Sequence, residues 1–297
     1  MSSEKLGMKR ETLRELFLEL RDISENANFI PFDNDQVKSY ARKFGFKNPF
    51  DVVKHDVQAT LPEEMIDEDY FIVHLGKGNH AFVRGADCGF SGFHLFENIP
   101  QKNRITWPFE PSIMDILSQS ETQTISTVYN EGIIGDFLVD DKNAGVLYHA
   151  GRRARATFYA EACPGIGFDV KSLQLEADAF FEVREDEGEH PPIIATVEAK
   201  KTNAAEFEVR QVYTAMRYLR DWTETGKIPS DTEVHNLYVV KDSPEGQAIG
   251  DWYHVRIYDY YFRDPMVMST IRLRKAREYQ LHYDAINNGA ARQTTLV

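Results

Sequence analysis

Apolar residues Leu13, Phe17 and Leu20 recur at steps of three and four between residues 10 and 26, with Glu and Arg among them, which predicts an amphipathic helix. A second helix is predicted from a cap at Asn34 or Asp35, through Val37, Tyr40, Ala41 and Phe44, to a stop at Gly45. The spacing Ala41-x-x-x-Gly45, followed by Val52 and Val53, loosely fits a helix-turn-helix. Next, Tyr70–Leu75 and His80–Val83 predict a β-hairpin turning at Gly76-Lys77-Gly78, with His74 and His80 on its surface. Residues 85–111 are rich in Gly, Pro, Phe and Asn and predict loops.

From Pro111 the pattern changes. Helical spacing runs to about Phe137 with an interruption near Ser118–Thr122, and a turn follows at Asp140–Gly145. Strands are predicted at Val146–Tyr148, Arg155–Ala160, Leu173–Val183 and Ile193–Lys200, then a helix at Ala204–Trp222. Strands at His235–Val240 and Tyr253–Phe262 precede a basic, helical tail at Met266–Tyr283. The expected organisation is a mixed α+β N-terminal region over residues 1–110 and an α/β domain over 111–297, ordered helix, three strands, helix, strand.

Charge limits the function classes. With 34 Lys+Arg against 47 Asp+Glu the net charge is −13, a poor basis for coating nucleic acid without regard to sequence, because that binding rests on neutralising phosphates. A nucleic-acid reading must therefore find its positive charge locally. Arg152, Arg153 and Arg155 before the central strands, and Arg272, Arg274, Lys275 and Arg277 near the end, are where the sequence gathers it. Two cysteines, Cys88 and Cys163, are too few for a disulfide framework or a four-thiolate zinc site. No apolar run approaches the roughly 18 residues of a membrane helix, and the charged start lacks a signal-peptide block, so a reducing cytoplasm and no membrane are expected.

The chemistry concentrates in two strands. If Leu173–Val183 and Ile193–Lys200 form an antiparallel hairpin centred on Gly188, Asp178 faces Glu198, and the Cβ atoms of such pairs lie roughly 5 Å apart. Lys200 emerges on the same face as Glu198, and Lys201 on the other, because side chains alternate with period two. Opposed carboxylates repel and are costly to desolvate unless a cation joins them. Two carboxylate oxygens suit Mg²⁺, and a neighbouring lysine can orient or deprotonate an attacking water. Those parts serve metal-assisted hydrolysis of a phosphodiester. Glu176 shares the parity of Asp178 and is a supporting candidate; Glu131 and Glu161 are weaker ones.

Asp178 followed by Glu198-Ala199-Lys200, within that order of elements, resembles the PD-(D/E)XK nuclease superfamily, and the chain as a whole looks like a stand-alone type II restriction endonuclease. The departure is Ala177 where the family often has proline before the aspartate. The resemblance implies a restriction-endonuclease-like core, metal binding by Asp178 and Glu198, action of Lys200 on the nucleophilic water, and a supporting role for Gln211 on the following helix. It further implies cleavage of double-stranded DNA with Mg²⁺, a homodimer matching a palindromic site, and a cognate DNA methyltransferase as genetic partner. Arg152 and Arg153 are the expected DNA contacts. The rivals are a structure-selective repair or recombination nuclease of the same superfamily, and a non-catalytic DNA-binding protein with a decayed core. Gly76-Lys-Gly78 lacks the rest of a phosphate loop, and Gly89-Phe-Ser-Gly-Phe93 fails the nucleophile elbow at its last position. Tyr258, Tyr260, Tyr261 and Phe262 read as sheet packing.

Overall fold

The computed structural model describes residues 3–109, 120–151, 153–183, 191–200, 204–242 and 252–282. The Leu13/Phe17 stripe forms the first helix, α1 (Ser3–Ile23), burying Leu13, Leu16 and Phe17 completely. β1 (Phe29–Asp33) then enters α2 (Asn34–Lys43). The cap is Asp33, not Asn34 or Asp35. Its carboxylate accepts from the N–H groups of Asp35 and Gln36 while the Gln36 side chain accepts from the Asp33 N–H, a reciprocal pair that outcompetes a single-residue cap. Directly beyond Gly45 the chain makes a 3₁₀ turn, Pro49–Asp51, where a helix-turn-helix would place its recognition helix. After α3 (Glu63–Asp67), the expected hairpin forms as β2 (Tyr70–Gly76) and β3 (Asn79–Arg84), and the first sheet has the order β1-β3-β2.

Residues 85–111, expected to be loop, contain β4 (Phe93–Leu95) and β5 (Arg104–Pro108). The region expected to be one interrupted helix holds α4 (Glu121–Asn130) and α5 (Ile133–Val139); its first part, 110–119, lies outside the described residues. There follow β6 (Val146–Ala150), β7 (Arg153–Glu161), β8 (Gly167–Glu176), β9 (Ala179–Val183), β10 (Ile193–Lys200), β11 (Glu206–Glu208), α6 (Arg210–Glu224), β12 (Glu233–Asp242), β13 (Trp252–Phe262) and β14 (Ile271–His282). Seven strands make the main sheet, ordered β5-β14-β13-β12-β10-β9-β6, with β10–β12 and β14–β5 parallel and the other pairs antiparallel. The architecture is mixed α/β.

Three expectations are corrected. Leu173–Val183 is not one strand: β8 pairs with β7 in a separate ribbon, and the chain breaks at Ala177–Asp178 before β9 joins the main sheet. The helix expected from Ala204 starts only at Arg210, because Glu206–Glu208 pairs with β4. The tail expected to be helical is the strand β14. A bulge there leaves Arg274 as the extra residue between Leu273, opposite Tyr260, and Lys275, opposite Asp259. The bulge shifts inward-facing positions from Ile271 and Leu273 to Ala276, so a strand reads like a helix along the sequence.

The sheet separates two apolar layers. One face carries Ala195, Val197 and Ala199 of β10 against Ile125, Val128, Ile133 and Phe137 of α4 and α5. On the opposite face Phe180 of β9 meets Ala215 and Leu219 of α6. The N-terminal residues share a cluster with β7, β8 and α6, including Phe82, Phe168, Val170 and Tyr213, so the two parts of the chain are packed against each other. Cys88 and Cys163 form one disulfide between the turn after β3 and the loop after β7. Such bridges persist in oxidising surroundings, which the expectation of a reducing cytoplasm does not include. Among the described residues no helix is long and apolar enough to cross a membrane.

Candidate active site

The β9–β10 register brings Val183 opposite Ile193 and Ala179 opposite Val197, which is the register expected from a hairpin centred on Gly188. One step further, at the end of the ladder, Asp178 comes opposite Glu198. Its N–H donates to the Val197 carbonyl at 3.1 Å, and its Oδ2 accepts from the Ala199 N–H at 2.8 Å, so backbone on both sides fixes the carboxylate. The break between β8 and β9 is held from outside by Gly151, whose N–H donates to the Asp178 carbonyl at 3.1 Å. A Cβ at Gly151 would stand 2.0 Å from the Ala177 carbonyl oxygen, so only glycine lets the chain pass.

Glu198 and Lys200 share the β10 face turned toward α6, while Ala195, Val197 and Ala199 fill the core behind. The Lys200 ammonium lies 2.8 Å from Glu198 Oε1 and 3.5 Å from Glu121 Oε1 at the start of α4. Burial, opposed by Lys200 and reinforced by Asp178, pushes Glu198 up to about 7. For Lys200, burial acts to lower the pKa but Glu198 outweighs it, and the group is held above its ordinary value as an ammonium. A buried carboxylate with a second one beside it is short of positive charge even with the lysine present.

Asp178, Glu198, Lys200 and Gln211 all line one cavity of about 600 Å³. Gln211 lies on the first turn of α6, where its amide donates to Asp56 Oδ1 (3.0 Å) and accepts from the Tyr238 hydroxyl (3.2 Å). Glu208, buried, and Arg210, half-buried, neither singled out by the sequence, form a bidentate pair in the cavity wall at 2.8 and 2.9 Å. The signal was present as alternation, Glu208-x-Arg210 after a strand. Glu121, Asp56 and Lys54 also line the wall, and no local pattern announces them.

The histidines are a correction. His74 and His80 are buried and lie opposite each other in the β2–β3 register with their Nδ1 atoms 2.6 Å apart, because the residues flanking them pack under the N-terminal cluster. His80 Nε2 lies 3.0 Å from Asn34 Oδ1, and both histidines line the same cavity. A tight turn at Lys77–Gly78 implies that pairing, so it was readable.

Of the other expected residues, Arg155 lines the cavity, and the rest are not seen there. Arg153 and Glu176 are register partners at the ends of β7 and β8, with side chains outside what is described; Arg152 and Lys201 lie outside the described residues altogether. Glu161 accepts from the Gly165 N–H, and Glu131 follows α4; neither lines the cavity. The basic C-terminal set is not a cleft around these carboxylates. Arg274 pairs with Glu233 and Asp259, Lys275 with Asp140, and Arg277 with Asp136 and Asp140. Carboxylates recruit these cations across the far strands of the sheet, and none of them, nor Arg272, lines the cavity. Among the described residues no three His, Cys, Asp or Glu side chains converge as a metal site.

Residues 88–280 match the family model described as a domain of unknown function, DUF6997, about two thirds of the chain. The chain belongs to the DUF6997 family. Residues 10–82 match a second model, a domain of unknown function described as DUF6996. No curated protein and no solved structure matches the chain. The DUF6997 segment thus carries Asp178, Glu198 and Lys200, while the DUF6996 segment supplies His74, His80, Lys54 and Asp56 to the same cavity.

Proposed function

We propose that this protein is a Mg²⁺-dependent endonuclease that hydrolyses phosphodiester bonds of double-stranded DNA, with a restriction-endonuclease-like core formed by α4 and α5, β6, β9, β10, α6 and β12. The observation that carries the reading is the opposition of Asp178 and Glu198 at the end of an antiparallel ladder, with Lys200 2.8 Å from Glu198, on the wall of a cavity. The succession β6-β9-β10-β12 in the sheet supports it, since one parallel pair follows two antiparallel ones and the helix α6 bridges the parallel strands.

The donor set fits Mg²⁺. Two carboxylates with hard oxygens suffice for an ion that keeps several waters and takes further oxygens from a phosphate. Glu198, pushed up by burial and by Asp178, is a group that a divalent cation would return to its charged form. Bound there, the ion would supply Lewis-acid activation of the scissile phosphate. Lys200, held as an ammonium, orients the attacking water and offsets charge on the phosphate, while the proton that water gives up passes to solvent in the cavity. Asp178, fixed by the backbone of Ala199, needs no rearrangement to act. Gln211 and Tyr238 hold the adjoining wall. Sequence specificity, a homodimer on a palindromic site and a cognate methyltransferase belong to the same reading.

The test is digestion of a fully sequenced phage DNA. With Mg²⁺ the wild type should give discrete bands, and Asp178→Asn, which removes charge without volume, should lower the rate by at least about a thousandfold with an unchanged circular dichroism spectrum. No cleavage by the wild type, or cleavage at wild-type rate by Asp178→Asn, overturns the proposal. Nicking confined to branched or damaged DNA would assign the structure-selective alternative.

A further inference from the structure

The turn between β2 and β3 has a conformation that its central residue does not favour. Gly76, Lys77 and Gly78 have φ of 86°, 53° and 79°, three left-handed residues in succession. A two-residue turn of this kind selects Asn, Asp or Gly at its first position, and a lysine there is uncommon. Gly76 also has no room to move. A Cβ on it would lie 2.1 Å from the Lys171 carbonyl oxygen and 2.9 Å from the Leu173 nitrogen, so the tip of the N-terminal hairpin is seated directly on β8. Ser172, between those two contacts, is itself left-handed, with φ 54°. Its hydroxyl accepts from Arg155 Nη1 at 3.2 Å.

Two exposed cations, Lys77 from the N-terminal segment and Arg155 from β7, are therefore gathered at one fixed contact, and both line the cavity that holds Asp178, Glu198 and Lys200. Among the described residues neither makes an ion pair, whereas Arg274, Lys275 and Arg277 are each held by carboxylates. Strained residues persist where the surroundings over-determine them, and they cluster at ligand clamps. Two cations on one cavity wall, neither neutralised by an ion pair among the described residues, offer a site for an anion, and a DNA strand presents one phosphate after another.

We propose that Lys77 and Arg155 form a phosphate subsite that grips the DNA backbone beside the scissile bond, so that the N-terminal segment positions the substrate of the neighbouring domain. This rests on the nuclease reading above. It moves the local positive charge that DNA binding needs away from the C-terminal arginines.

The turn itself supplies the discriminating variant. Asn tolerates the left-handed conformation better than Lys, so Lys77→Asn should fold at least as well as the wild type, with an equal or higher melting temperature. It should nevertheless raise the Kd for a fluorescein-labelled 20-base-pair duplex by about fivefold at low salt. The slope of log K against log salt should flatten by about 0.9, the contribution of one phosphate contact. In Mg²⁺ the KM should rise by a similar factor while kcat stays within about twofold, since the contact is made before and during the step alike. Arg155→Ala should do the same, Lys77→Arg should restore binding, and Lys102→Asn, outside the cavity, should change nothing. A wild type that binds and cuts while Lys77→Asn and Arg155→Ala leave Kd, slope and KM unchanged overturns the subsite alone. A wild type that neither binds nor cuts the duplex overturns the subsite together with the nuclease reading.

Discussion

Glu208 and Arg210 show what single residues contribute at this site. Glu208 is buried and Arg210 half-buried, and their bidentate contact is the means by which the Glu208 charge remains in a low-dielectric wall. Burial pushes Glu208 up, opposed by Arg210, while Arg210 stays charged despite its own burial because Glu208 faces it. Removing one partner strands the other, which costs roughly 3–5 kcal/mol in such pairs, whereas replacing both with apolar groups costs much less. Arg210→Met should therefore lower the urea midpoint strongly, and adding Glu208→Leu should recover much of the loss. If the double variant is no more stable than Arg210→Met, the pair is not the source of the cost. The meeting of Asp178, Glu198 and Lys200 was legible because strand alternation and hairpin symmetry fix which side chains meet, and they require only local geometry. Lys54, Asp56 and Glu121 were not, since each reaches the cavity through a tertiary contact that no period along the chain encodes.

Among elements, the break between β8 and β9 decides where Asp178 points. The chain leaves the β7–β8 ribbon, turns at Ala177–Asp178 and enters the main sheet, and Gly151 is the surface against which it turns. Gly151→Ala would bring a methyl to 2.0 Å from the Ala177 carbonyl oxygen and 2.8 Å from that of Asp178. Backbone must yield there, because no flexible side chain is involved. The expected outcome is a loss of cleavage of about a hundredfold, the cost of a misplacement near 1 Å, with the far-ultraviolet spectrum retained. Wild-type cleavage by Gly151→Ala would mean that the break is not what aims the carboxylate. The same region shows why elements were only partly readable. β9 and β10 followed from continuous apolar runs, but the switch of sheets inside Leu173–Val183 carries no glycine or proline of its own; its cause is Gly151, far earlier in the chain. In β14 a bulge at Arg274 converts period two into spacing that resembles three, so a strand paired on both edges reads as a helix. Periodicity reports which residues are buried, and a bulge changes that without changing the element.

At the scale of the molecule, the cavity depends on the N-terminal segment remaining docked, and three buried histidines make that docking sensitive to acid. His55 is held between Thr60 Oγ1 and the Val52 carbonyl, both at 2.8 Å, and burial, then Lys9, lower it to about 3. Burial, then Arg210, lowers His80 to about 4 and His74 well below its ordinary value. All three are neutral in the folded protein at pH 5, while in the unfolded chain histidine takes up protons below about 6.5. The unfolded state then binds more protons, so the stability present above about pH 6.5 is lost as pH falls toward the folded values, by up to about 1.4 kcal/mol per pH unit for each histidine. Glu198 and Glu208, with raised pKa values, act with the opposite sign, stabilising the fold as they protonate, so the net slope is smaller than three histidines alone would give. His55 tests the account on its own because its hydrogen bonds go to Thr60 and Val52 and to neither cavity histidine, and its replacement by Gln retains a donor and an acceptor. Urea midpoints of the wild type should fall steadily from pH 6.5 to 4.5, and those of His55→Gln should fall less steeply, by up to about 1.4 kcal/mol per pH unit. Equal slopes for the two proteins would remove His55 from the account and leave acid sensitivity to the histidine pair at the cavity.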